Sequence, residues 1–184
     1  MKGILSTAIS LTWLFALSSA GQADTAAGQA AFEANDCVSC HYTEGPAREK
    51  TIEDQLAKTG PELWYAGDKF NQGWLVAWLA DPQPIRPMKF NSLTEENSGD
   101  HPALGADDAT SVANYLMTLT SSAVESGTVK VKKNAKGRQI FTKKMPCSGC
   151  HQYRGRKGET LGGRSGPSLT DAGLRLNPDW ILAY

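Results

Sequence analysis

Two short motifs combine paired cysteines with a histidine, the residue types that attach and ligate haem. They are Cys37-Val-Ser-Cys40-His41 and Cys147-Ser-Gly-Cys150-His151. Two thiols three residues apart lie on one face of a helical turn, where each can add to a haem vinyl group. The histidine that follows can then ligate the iron. The pattern predicts two covalently bound haem c groups (iron), with His41 and His151 as proximal ligands.

Other uses of paired cysteines fit this sequence less well. Zinc ribbons place their cysteine pairs about 15 to 20 residues apart, whereas more than a hundred residues separate Cys40 from Cys147. A disulfide framework or a thioredoxin-like redox pair gives no reason for a histidine to follow both pairs. Haem attachment accounts for every residue of both motifs.

The surroundings of the two motifs repeat. Residues 60–78 match residues 166–184 without gaps at an offset of 106, and Gly28 and Phe32 match Gly137 and Phe141 upstream. A repeat of this kind indicates two copies of one domain. We expect a first haem domain at 24–120, a linker at 121–129 and the N-terminal part of a second domain at 130–184.

The second copy stops early. Tyr184 corresponds to Trp78, and the first copy continues for roughly another forty residues. We therefore expect the sequence to be a fragment of a longer reading frame that continues with a proline-rich, Met-containing loop and a closing amphipathic helix.

The N-terminus has the features of an export signal. Met1 and Lys2 precede an apolar run from Ile4 to Leu17, and small residues follow. This pattern predicts a signal peptide at 1–23. No later stretch has the roughly 20 apolar residues needed to cross a bilayer, so we expect an exported, periplasmic protein with no stable membrane span after cleavage.

The rest of the chain has helical patterns, and we predict an all-α fold. Apolar residues at Val112, Tyr115, Leu116 and Leu119 form one stripe of a helix over 107–119. Further helices are predicted at 26–35, 136–144 and, in the first copy only, 51–58. Asn71 and Asn177 are expected N-caps, and the helix after Asn71 should end before Asp81-Pro82.

With these motifs, the Gly-Pro-X-Leu segments and the Trp-containing helix, the chain resembles the class I cytochromes c, in particular tandem di-haem periplasmic forms. The resemblance covers 26–184 and implies two tandem haem domains, the second incomplete. It implies that Pro61 and Pro167 offer backbone carbonyls to the proximal histidines. It further implies that Leu63 and Leu169 line the haem faces.

The family usually takes its sixth ligand, a methionine, from a proline-containing loop before the last helix. Met88 is the candidate so placed, although Pro87 precedes it and the family more often has proline after the methionine. Met117 is expected in the core. His101 is expected to be solvated in a polar loop, with ligation of the second iron or of an external metal as the alternative. Trp74 and Trp180 are left open between core packing and a hydrogen bond to a haem propionate.

Charge is divided unevenly along the chain. Residues 24–122 contain 15 acidic and 6 basic residues, a net −9, and residues 123–184 contain 4 acidic and 12 basic residues, a net +8. Either the two halves attract each other or solvate their own faces, or a charged patch steers a redox protein partner. Export and haem attachment argue against a nucleic-acid partner.

The leading hypothesis is electron transfer, not enzymatic catalysis. The chain would pass single electrons between an electron donor and an acceptor, as a free carrier or docked to a membrane respiratory or dehydrogenase complex. The alternative is a peroxidase-like haem enzyme or a ligand-binding protein with an open second haem. It rests on the lack of a visible methionine for that haem.

Overall fold

The structure, a computed structural model, describes residues 19–90 and 92–184, with side chains from residue 24. Most of the predicted signal peptide at 1–23 lies outside the described residues. Within the described ranges, no helix combines the length and apolar character needed to cross a membrane.

The described residues are mainly helical, as predicted. The one sheet among them is a two-stranded hairpin. In chain order the elements are α1 (Ser19–Ala34), a 3₁₀ turn (Cys37–Ser39), α2 (Ile52–Leu56), α3 (Ala66–Lys69), α4 (Gln72–Ala80), α5 (Ala106–Met117), α6 (Ala135–Gln139), a π-helical turn (Ile140–Lys144), α7 (Cys147–Cys150), β1 (Tyr153–Arg154), β2 (Thr160–Leu161), α8 (Ala172–Arg175) and α9 (Pro178–Ala183).

The hydrophobic core lies in the first copy, where α5 packs against α1 and α4. The predicted stripe is confirmed, since Val112, Tyr115 and Leu116 are buried, while Leu119 packs against the core from beyond the helix end. At the α1–α5 crossing, a Cβ on Gly28 would lie 2.8 Å from the Cβ of Tyr115. Glycine at this position lets the two helices approach closely.

Helix boundaries follow the local sequence. Thr51 accepts a hydrogen bond from the Asp54 amide and forms a capping box at the start of α2. The helix after Asn71 ends at Ala80, before Asp81-Pro82, as predicted. The helix expected at 136–144 is instead the short α6 followed by the π-helical turn. In the second copy, β1 and β2 follow the motif where the first copy has α2.

The two copies contact each other through the same repeat position. Phe70 and Leu176, which are 106 residues apart, form an antiparallel β-bridge. Two backbone N–H···O bonds of 2.9 Å flank the bridge and exchange equivalent partners between the copies. They run from Asn71 to Arg175 and from Asn177 to Lys69. The contact is therefore self-complementary, as in a two-fold symmetric interface.

Two cations at equivalent positions contact this interface. Lys69 and Arg175 are equivalent positions, and each lies over the tryptophan ring of the other copy: Lys69 Nζ is 4.8 Å from the centre of a Trp180 ring, and the Arg175 guanidinium carbon is 5.8 Å from that of Trp74. Cations placed over aromatic faces attract the ring electrons. The side chains of the two copies thus make reciprocal contacts, as their backbones do.

The linker is fixed at its C-terminal end. The Asp179 carboxylate in α9 accepts hydrogen bonds from the backbone N–H groups of Gly127 at 2.6 Å and Val129 at 2.7 Å. Residues 127–129 therefore pack on the second copy.

Candidate haem sites

Each Cys-X-X-Cys-His motif forms a single turn that presents two thiols. The backbone N–H of His41 donates to the Cys37 carbonyl at 3.0 Å, and that of His151 donates to the Cys147 carbonyl at 3.0 Å. The four cysteines all fall within the described residues and are free thiols. The turns thus hold each cysteine pair and its histidine together.

The motif histidines are held by the carbonyls that the family resemblance implied. His41 Nδ1–H donates to the Pro61 carbonyl at 2.7 Å, and His151 Nδ1–H donates to the Pro167 carbonyl at 2.7 Å. Because a carbonyl oxygen can only accept, Nδ1 must carry the hydrogen in both rings. In the neutral imidazole, the lone pair of each Nε2 is then available to a metal.

The segment that follows each histidine also repeats. The Leu63 N–H donates to the carbonyl of Tyr42, and the Leu169 N–H donates to the carbonyl of Gln152, both at 2.9 Å. Leu63 is buried in the core and Leu169 is half-buried. The Gly-Pro-X-Leu segment is thereby tied to the residue after the histidine in both copies.

Two glycines make room for the imidazole rings. A Cβ on Gly60 would lie 2.6 Å from His41 Cε1, and a Cβ on Gly166 would lie 2.7 Å from His151 Cε1. Real Cβ contacts are longer than this, so a side chain at either position would displace the ring. Steric contact with the imidazole ring therefore explains the glycine in each Gly-Pro-X-Leu segment.

These residues fit haem c. Each site offers two free thiols for thioether bonds, an imidazole with its Nε2 free, and a glycine beneath that ring. A bound haem supplies a one-electron redox centre. The chain's part is to orient the ligand, and it does so with the proline carbonyl.

Burial affects the protonation of the first histidine. Desolvation lowers the pKa of His41, the hydrogen bond to Pro61 opposes that effect, and the neighbouring His101 lowers the pKa further. A lowered pKa favours the neutral imidazole, which is the form that ligates iron.

Met88 lies in a hairpin-like loop. It forms an isolated antiparallel bridge with Glu96, the Lys89 N–H donates to the Glu95 carbonyl at 2.9 Å, and the Asn97 N–H donates to the Pro87 carbonyl at 2.9 Å. Its side chain is 5% exposed. The role of Met88 as an iron ligand stays a prediction.

His101 lies in a loop, as expected, but it is half-buried and not fully solvated. Its ring packs against Trp78, with centroids 4.6 Å apart, and lies 6.2 Å from the ring of His41. The physical reason is Leu104, which is buried in the core and donates its N–H to the Leu79 carbonyl at 2.9 Å. Two local features could have indicated that His101 packs against the first copy. Pro102 directly follows it, and α5 begins five residues after His101.

The remaining candidate residues pack against other side chains. Met117 packs against the core, as expected, and so does Trp74. The indole Nε1 of Trp180 is buried with no hydrogen-bond partner among the described residues, and its ring is 5.9 Å from that of Tyr65.

Comparison with known proteins supports the fold of the first copy. The all-α architecture and the attachment motifs define a class I c-type cytochrome. The family model described as Cytochrome c matches residues 25–120, slightly more than half of the chain. The chain therefore belongs to the cytochrome c family, whose members bind haem c covalently and carry electrons. No curated protein and no solved structure matches it.

Proposed function

We propose that this protein is an exported di-haem cytochrome that passes single electrons between periplasmic or membrane-bound redox partners. The observation that carries the proposal is the repetition of one ligand geometry. In both copies Nδ1 of the motif histidine donates to a proline carbonyl at 2.7 Å, which leaves Nε2 free. In this proposal Cys37 and Cys40 attach one haem and Cys147 and Cys150 the other.

The proposal includes two tandem haem domains at 24–120 and 130–184. It is supported by the equivalent contacts around Phe70 and Leu176, which hold the copies side by side. A cleft of about 500 Å³ lies between them, with Trp74 and Trp78 from the first copy and Gln152 and Asp171 from the second on its walls. Gln152 directly follows His151, so the second motif adjoins the interface.

The division of charge supports protein partners. The acidic first half, net −9, and the basic second half, net +8, offer surfaces of opposite sign. Such surfaces raise the rate at which charged partners meet. The cross-copy ion pair of Arg164 and Glu96 is solvent-exposed, with side chains 49% and 71% exposed. Pairs of this kind contribute little stability.

A potentiometric titration of the full-length holoprotein tests this function. Two one-electron steps are expected. The double substitution Cys147→Ser with Cys150→Ser should remove one step and leave the other. Cys37→Ser with Cys40→Ser is the matched control and should remove the complementary step. A wild-type protein that takes up a single electron would contradict the di-haem proposal.

A further inference from the structure

His101 lies near the motif histidine of the first copy. The two rings are 6.2 Å apart between centroids, at an interplanar angle of 44°. The Trp78 ring, 4.6 Å away, packs against His101. The backbone bond from Leu104 to Leu79 holds this segment on α4. The fold therefore brings the two imidazoles together from residues sixty positions apart.

In both rings Nδ1 makes a hydrogen bond to a backbone carbonyl. His101 Nδ1–H donates to the Pro102 carbonyl at 2.9 Å, as His41 Nδ1–H donates to Pro61 at 2.7 Å. Because carbonyl oxygens only accept, Nδ1 carries a hydrogen in both rings, and in the neutral imidazole Nε2 then has none. This is the arrangement found in metal-ligating histidines, where the second nitrogen is held by a backbone acceptor.

The separation of the rings matches that of two ligands on one metal. Metal–imidazole bonds are about 2.0 to 2.1 Å long. The centre of a five-membered ring with bonds of about 1.35 Å lies roughly 1.15 Å from each ring atom. Ring centres on opposite sides of one metal are therefore about 6.3 to 6.5 Å apart, close to the observed 6.2 Å. Each ring can rotate about its metal–nitrogen bond, so this arrangement does not fix the angle between the ring planes.

We propose that His101, and not Met88, is the sixth ligand of the iron in the first domain, opposite His41. This inference rests on the proposed haem attachment at Cys37 and Cys40. A pair of imidazoles saturates the iron as a His–Met pair does. Because methionine ligation raises the haem potential, a bis-histidine site has a lower potential than the Met88 prediction implies.

Two alanine variants of the full-length holoprotein distinguish the candidates. In His101→Ala, one haem per chain should change from low spin to high spin and, when reduced, bind one more carbon monoxide per chain than wild type. Added imidazole should restore the low-spin spectrum. Met88→Ala is the matched control, and its iron spectrum should equal that of wild type.

A gain-of-signal variant covers the case in which His101→Ala does not fold. His101→Met keeps a ligating atom, and it should add a long-wavelength sulfur-to-ferric-iron band and raise one midpoint potential. High-spin iron in Met88→Ala together with an unchanged His101→Ala would overturn the proposal. So would a His101→Met protein with the spectrum and potentials of wild type. Failure of the proposed function itself appears separately, as wild-type protein that carries no covalent haem at the first motif.

Discussion

Phe70 and Leu176 occupy the same position of the repeat and face each other across an antiparallel bridge. The backbone bonds on either side are reciprocal between the two copies. The cations at the adjacent positions, Lys69 and Arg175, are also reciprocal, because each lies over the other copy's tryptophan. A self-complementary contact makes the position of one copy depend on that of the other. The interface is therefore expected to contribute to stability.

The first prediction concerns Arg175. It is 5% exposed, and its Nη2 donates to the Ser168 carbonyl at 2.8 Å. Arg175→Ala removes this bond and the contact with Trp74, so the free energy of unfolding should fall by about 2 kcal/mol. Denaturant titration of the holoprotein measures the change.

Arg164→Ala is the control for Arg175→Ala, because Arg164 makes the exposed ion pair with Glu96. Loss of such a pair should cost below about 1 kcal/mol. If the two variants lose equal stability, the buried Arg175 contributes no more than an exposed ion pair.

The second prediction concerns the glycines beneath the histidines. Gly60→Ala or Gly166→Ala places a methyl group 2.6 or 2.7 Å from a ring carbon of the motif histidine, so the imidazole must move and its bond to the proline carbonyl must weaken. One midpoint potential should shift in each variant, a different one in each case. Potentiometry on the two proteins measures both shifts.

Gly73→Ala is the matched control for these variants. Gly73 is exposed in α4, and a Cβ there meets no atom within 4 Å. Alanine is favoured over glycine inside a helix by roughly 0.5 to 1 kcal/mol, so this protein should be slightly more stable with unchanged potentials. Wild-type potentials in Gly60→Ala and Gly166→Ala would argue against the ring contact.

The third prediction concerns pH. Burial lowers the pKa of Lys69 from 10.5 to about 8; Glu62 opposes this effect, and Arg175 and Lys58 add to it. Between about pH 8 and 10.5 the unfolded chain binds a proton at Lys69 that the folded protein lacks, so this group makes stability rise with pH. Burial and Glu62 raise the pKa of Tyr65, which reverses the trend only above the ordinary tyrosine range of about 10.

Lys69→Met isolates this contribution. The difference in unfolding free energy, wild type minus variant, should increase between about pH 7 and 9.5, with a slope of at most about 1.4 kcal/mol per pH unit. Denaturant titrations at the two pH values provide the measurement. A difference that stays constant over this interval would show that Lys69 keeps its proton.

Part of the fold could be predicted because local rules decide it. The α5 stripe and the end of α4 before Pro82 depend on periodicity and on proline sterics, and both are confirmed. Asn71 stands at the start of α4 as predicted, but its side-chain amide donates to the Leu174 carbonyl at 2.8 Å instead of capping the helix. Asn177 does cap α9, by accepting from the Asp179 N–H.

What the sequence missed depends on contacts between distant segments. The two-fold exchange of Lys69 and Arg175 needs the relative position of the two copies, which a repeat alone does not specify. The position of His101 depends on the burial of Leu104 and on the bond to Leu79, while the surrounding residues are polar. The Cys-X-X-Cys-His motifs, in contrast, can be recognised from five consecutive residues.

The central claim, two haems on one chain, is tested most directly by the mass of the mature full-length protein after denaturation, expressed with an active cytochrome maturation system. We expect the polypeptide mass plus two haem groups, and plus one group when Cys147 and Cys150 are both replaced by serine. A wild-type mass with one haem or none would contradict the account.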